Sequence, residues 1–146
     1  MLVLDQDALN AFLTTAFPQA AAFHVTRVDA DGVTLALIPD DTMLRPGGTI
    51  SGPAMFALAD VAIYALILSR VGPIALAVTT NASIDFMRKP AAGLPLRAVA
   101  RLLKLGRTLA VADALIYSKG IAEPVARASM TYSLPQNAET KAKISG

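Results

Sequence analysis

Cysteine is absent from this chain of 146 residues, and histidine occurs once, at His24. The first absence excludes disulfides, thiolate catalysis and cysteine-based zinc sites, and leaves the redox compartment open. The second leaves His24 with no acid or hydroxyl partner at a spacing that fits a catalytic triad or a metal site, so its role reads as structural. Charge is scarce too. Only 16% of the residues are charged and the net charge is +2, too little to argue for nucleic acid as a partner. The glycines of PGGTISG are not followed by Lys-Ser or Lys-Thr, which rules out a phosphate loop. Asp29, Asp31 and Gly32 lack the downstream ligands of a calcium loop and read as a turn. No metal or redox cofactor is expected.

The N-terminus, MLVLDQDALNAF, carries acids where a secretory signal carries Lys or Arg, so a cytoplasmic protein is expected. Apolar residues are abundant. They make up 54% of the chain, high for a free monomer, which argues for apolar surface buried between subunits. The length suits one domain, residues 1–135, followed by a polar tail over 136–146. The apolar run Pro53 to Leu68 is shorter than the roughly 20 residues a bilayer requires. Asp60 near its middle adds a cost of about 2.5 to 3.5 kcal/mol on insertion scales, so no membrane partner is expected.

Leu4, Ala8, Leu9, Phe12 and Leu13 recur at helical spacing and predict a short amphipathic helix from about Asp5 to Ala16, ended by Pro18. From Ala22 to Ile38 the alternation changes to a hairpin that turns at Asp29-Ala30-Asp31-Gly32. A long helix then runs from the glycine-rich turn to Arg70-Val71-Gly72-Pro73. Four strand-like runs follow it: Ile74–Met87, Leu94–Leu105, Thr108–Tyr117 and Pro124–Leu134. The long helix is apolar on every side, which predicts an α+β fold with an antiparallel sheet wrapped around it.

Within that helix Asp60 is the one acid. An ionised carboxylate in apolar surroundings costs several kcal/mol unless it is paired or hydrogen-bonded, which marks Asp60 as a candidate catalytic group. Ser51 is a good N-cap, Pro53 falls where its missing N–H costs little, and the N–H groups of Gly52 and Ala54 are expected to point out of the helix start with the positive end of its dipole. That end suits an oxyanion or a polarised carbonyl. Gly52 and Asp60 are eight residues apart, about 12 Å along the axis, so one chain cannot bring both to the same carbonyl. A site shared between two chains follows as the economical expectation.

The runs GGTISGPAMFALADVA, TTNASIDFMRKP and ARLLKLGRTLAVADALIYSKGIAEPVARASMTY resemble the hotdog-fold acyl-CoA thioesterases of the phenylacetic-acid-degradation type, a branch of the 4-hydroxybenzoyl-CoA thioesterase superfamily. The resemblance covers Leu44 to Leu134. It implies that the Gly52 N–H polarises a thioester carbonyl, that Asp60 activates water or attacks the thioester, and that the site is shared in a homodimer or a tetramer built from dimers. Ser51 stands where the family has His and Pro53 where it has a second Gly. In the preceding loop, where the family often has Asn or Gln, the nearest residues are Leu44 and Arg45. An arginine meeting Asp60 favours base or nucleophile chemistry over acid chemistry.

Tyr64 lies one turn beyond Asp60 on the same face and is a candidate to bond the carboxylate or the attacking water. Arg88, Lys89 and Arg107 are candidates for the phosphates of coenzyme A, which enters as part of the substrate rather than as a cofactor. Lys104 flanks the same turn as Arg107. Asn81 is a candidate contact for the acyl or pantetheine groups. Three alternatives stand beside the hydrolase. One is a non-catalytic acyl-CoA-binding hotdog module, one is a hotdog dehydratase, which would need a histidine near the helix, and one is an Asp60 merely satisfied by backbone or by Arg45.

Overall fold

The computed structural model describes residues 2–18 and 21–136, so the expected tail beyond Gln136 lies outside the described residues. Helix α1 (Gln6–Ala16) opens at Asp5, whose side chain accepts from the Ala8 N–H at 2.9 Å, and it buries Leu9 and Leu13. Strands β1 (Phe23–Asp29) and β2 (Gly32–Leu37) form the expected hairpin, with the Asp29 carboxylate accepting from the N–H groups of Asp31 and Gly32. Asn10 on α1 exchanges two hydrogen bonds with the backbone of Val25, which satisfies part of the outer edge of β1.

At Gly32 a Cβ would lie 2.0 Å from the carbonyl oxygen of Ala100 on the neighbouring strand. Backbone cannot swing aside as a side chain can. Gly32→Ala is therefore expected to destabilise the protein by about 1 to 3 kcal/mol, as overpacking does. Urea unfolding measures this, and an unchanged midpoint would show that the hairpin shifts freely.

The central helix α2 (Gly52–Val71) is capped by Ser51, whose Oγ accepts from the Ala54 N–H at 3.2 Å, and it stops at Gly72, held at φ 97°. Strands β3 (Val78–Phe86), β4 (Leu96–Leu105), β5 (Leu109–Ser118) and β6 (Ala126–Ser133) complete a six-stranded antiparallel sheet in the order β1-β2-β4-β5-β6-β3. The sheet wraps the helix as a hotdog fold. Its inner face is lined with alanines, among them Ala98, Ala100, Ala112, Ala114 and Ala128, all fully buried. These small residues let the bulky side chains of Leu58, Ile63, Leu66 and Ile67 pack close to the sheet.

Three features differ from expectation. The third strand begins at Val78 rather than Ile74, because Ile74 and Ala77 close a turn after the helix through bonds to the carbonyls of Gly72 and Ile74. Helix α2 has 20 residues, so length alone does not separate it from a membrane span; its burial inside the sheet does. It is also enclosed unevenly. Residues 61–69 are all buried, whereas Gly52, Ala54, Phe56, Ala57 and Asp60 remain half-exposed and Pro53 is exposed. The first half of an apolar helix thus carries an uncovered face.

Candidate active site

Asp60 sits where that open face meets the start of β3. Its Oδ1 accepts two hydroxyl hydrogen bonds, from Thr79 Oγ1 at 2.6 Å and from Tyr132 Oη at 2.6 Å. Its Oδ2 has no partner among the described residues. The carboxylate is therefore satisfied on one side by neutral donors and free on the other, and within one chain it is bonded neither by backbone nor by Arg45, the alternative weighed for it. Arg45 lines a different cleft.

The two donors come from a cross-strand pair. Thr79 and Tyr132 are directly opposed between β3 and β6, and the register shifts immediately afterwards, between Thr79 and Asn81. A bulge of this kind reverses the alternation of the strand. Thr79 faces α2 with Tyr132, and beyond the bulge Ala82 faces α2 with buried Met130. Asn81, opposed to Thr131, is turned to the outer face, which corrects the expectation that it borders the acyl or pantetheine groups in its own chain.

Tyr132 is buried, with its ring 6.1 Å from that of Tyr64, which stands 6.2 Å from Phe17. Burial pushes the Tyr132 phenol well above the usual tyrosine range, and the adjacent Asp60 charge and its hydrogen bond push further in the same direction. The phenol is thus a donor throughout the neutral range. Tyr64 does not act as expected. Its hydroxyl donates to the Ala75 carbonyl at 3.1 Å rather than to Asp60, although its ring lines the same cavity.

Two cavities meet at Asp60, sharing Phe17 and Val61 as walls. One, of about 280 Å³, includes Tyr64, Thr79 and Tyr132. The other, of about 270 Å³, is lined by Phe17, Phe23, Met43, Ala54, Ala57 and Val61, with Asp60 its one polar side chain. An apolar group lying there would bring its polar end to the carboxylate.

Gly52 lies in a third cavity, about 390 Å³, together with Arg45, Arg88 and Lys89. Proline at 53 disfavours the helical region for the residue before it through clashes with that residue's N–H and Cβ, and glycine at 52 removes the second of these. The expectation of two free N–H groups at the helix start is corrected: Ala54 donates to its own cap, so Gly52 alone has no partner among the described residues. The Phe86 ring stands over it, 3.3 Å from where a Cβ would be. Ser51 is occupied as the cap, and Arg88 reaches the Pro124 carbonyl at 2.7 Å.

Arg107 is exposed in the β4–β5 turn, where its carbonyl accepts from Gln136, and it lines none of these cavities. That turn is at the same end of the sheet as Thr79, since Ser133 is opposed to both Val78 and Leu109. Within one chain, then, Gly52, Arg88 and Lys89 share one cavity and Asp60 and Tyr64 another. His24 is exposed on β1, and no metal-binding cluster occurs among the described residues.

Thr79 and Tyr132 did not figure in the sequence reading. A signal existed for the second. Met130, Tyr132 and Leu134 alternate as buried positions, and a buried tyrosine needs a partner for its hydroxyl.

A long apolar helix wrapped by this six-stranded antiparallel sheet defines a hotdog architecture. Residues 47–125, more than half of the chain, match the family model described as the thioesterase superfamily, and the chain belongs to that family. A protein from Silicibacter sp. TM1040, provisionally described as a thioesterase, is 56% identical over 92% of this chain and 94% of its own, with a TM-score of 0.86. A point mutant of the phenylacetic acid degradation protein PaaI from Thermus thermophilus is 27% identical, covering 82% of this chain and 98% of its own at a TM-score of 0.69. Zebrafish thioesterase superfamily member 2 shares the fold at 22% identity, covering 90% and 99% at a TM-score of 0.79. No curated protein matches the chain.

Proposed function

We propose that this protein hydrolyses acyl- or aryl-CoA thioesters at a site formed between two copies of the chain, in a homodimer or a dimer of dimers in the cytoplasm. The observation that carries the reading is Asp60, held by one oxygen and free at the other, at the edge of an apolar cavity. The unpaired N–H of Gly52 and the cations Arg45, Arg88 and Lys89 beside it support the second half of the site. The acyl group takes the apolar cavity, and the phosphates of coenzyme A take the cations.

In this mechanism a water gives a proton to Asp60 Oδ2 while its oxygen bonds to the thioester carbon. The carbonyl oxygen becomes an oxyanion that accepts from the Gly52 N–H of the other chain, at the positive end of its helix. Collapse of that intermediate re-forms the carbonyl and breaks the C–S bond. The proton on Asp60 passes to the departing thiolate, leaving a free acid, coenzyme A and an unchanged carboxylate. If Asp60 Oδ2 attacks the carbon directly, the C–S bond breaks, the thiolate leaves and an anhydride forms; water then opens it to the free acid and the carboxylate, and its proton goes to the thiolate.

Thiol release from a panel of short-chain, medium-chain and aromatic acyl-CoAs tests the reading. Release from at least one class is expected. Tight binding of an acyl-CoA with no release would replace the hydrolase by a binding module.

A further inference from the structure

The hydroxyls on Asp60 have a consequence for the reaction. Both bonds end on Oδ1, at 2.6 Å each, and Tyr132 Oη also lies 3.1 Å from the Asp60 backbone carbonyl, so the phenol is seated against residue 60 from two sides. Neither donor is free to wander. The Tyr132 ring is 4% exposed and packed on Tyr64, while Thr79 is locked opposite it by strand pairing, with the bulge following at once. A bulge there turns the hydroxyl of an edge strand onto the helix at this one position.

We propose that Tyr132 is a positioning residue, which with Thr79 fixes the Asp60 carboxylate by Oδ1 so that Oδ2 alone is presented to the water or the thioester carbon. The inference rests on the hydrolase reading above. A carboxylate on two rotatable bonds would otherwise spread over several orientations, and holding a reacting group in one of them is worth a large part of a rate enhancement. Tyr132 touches no reacting atom in this scheme. Its work is done through Asp60.

Tyr132→Phe keeps the ring and removes the hydroxyl. It is expected to lower kcat on the order of ten- to a hundredfold, the range for losing a hydrogen bond to a charged group, with KM nearly unchanged. Thr79→Val is expected to act in the same direction and Thr79→Ser, which keeps the hydroxyl, to retain most activity. A loss confined to KM, or a Tyr132→Phe enzyme as fast as the parent, overturns the proposal.

A second measurement does not need turnover. Ultraviolet titration of the tyrosines should show two phenols, Tyr64 and Tyr132, resisting ionisation in the parent protein, and one of the two ionising at lower pH in Asp60→Asn, because burial raises both whereas the carboxylate adds to the upward shift of Tyr132. An unchanged titration overturns the contact itself. Should the parent release no thiol from any substrate while the titration shifts as expected, it is the hydrolase reading that fails, and the Asp60–Tyr132 contact stands.

Discussion

Asp60→Asn is expected to lower kcat for thioester hydrolysis by about 10²- to 10⁴-fold, the range for removing a general base. The substitution is close to isosteric. Its amide oxygen can still accept from Thr79 and Tyr132, so the bonds that join α2 to β3 and β6 survive. What disappears is the charge and the ability to take a proton at the other position. Thiol release and a thermal melt on the same preparation separate chemistry from folding. Activity equal to the parent would mean that the chemistry lies on another residue.

Two inactive variants are expected to restore activity when mixed. Gly52→Leu would fill the cleft in front of the free N–H, where the nearest atoms are those of the exposed Phe86 ring, which can move aside. It leaves Asp60 untouched, and a thermal melt checks that the strain of a side chain before Pro53 leaves the fold intact. If each site takes Gly52 from one chain and Asp60 from the other, a mixed dimer with Asp60→Asn has one site doubly damaged and one fully intact. Random assortment in a two-fold dimer then returns about a quarter of parental activity. The measurement is thiol release after joint unfolding and refolding of equal amounts. A mixture as inactive as its components would place the two groups in separate roles.

The physical ground for this expectation is length. Eight residues of helix put Gly52 about 12 Å from Asp60 along the axis, and no rotamer shortens that. In the structure the two groups line different cavities of one chain. The half-exposed first part of α2 lies between them, an apolar surface suited to a second copy.

Much of the arrangement was legible in the chain because it depends on neighbours close in sequence. The cap at Ser51, the stop at Gly72 and the turn at Asp29 are decided within a few residues, and they occur where expected. The hydrophobic character of α2 demanded a sheet around it, and the alternating runs supplied the strands. Asp60 was conspicuous for the same reason: one acid among apolar residues cannot be indifferent to its surroundings.

The identity of its partners was decided elsewhere. Thr79 and Tyr132 are 19 and 72 residues away in sequence, and only the pairing of β3 with β6 sets them side by side. A one-residue bulge between Thr79 and Asn81 moves every side chain after it to the opposite face, which is why Asn81 points outward while Thr79 reaches the carboxylate. Tyr64, correctly placed on the helix face by its spacing from Asp60, spends its hydroxyl on Ala75 because the turn after the helix passes within reach. The sequence by itself determined the helix, the strands and the solitary acid, since periodicity and capping are local. Strand register and the uncovered half of α2 are products of long-range packing, and the tertiary structure alone decided them.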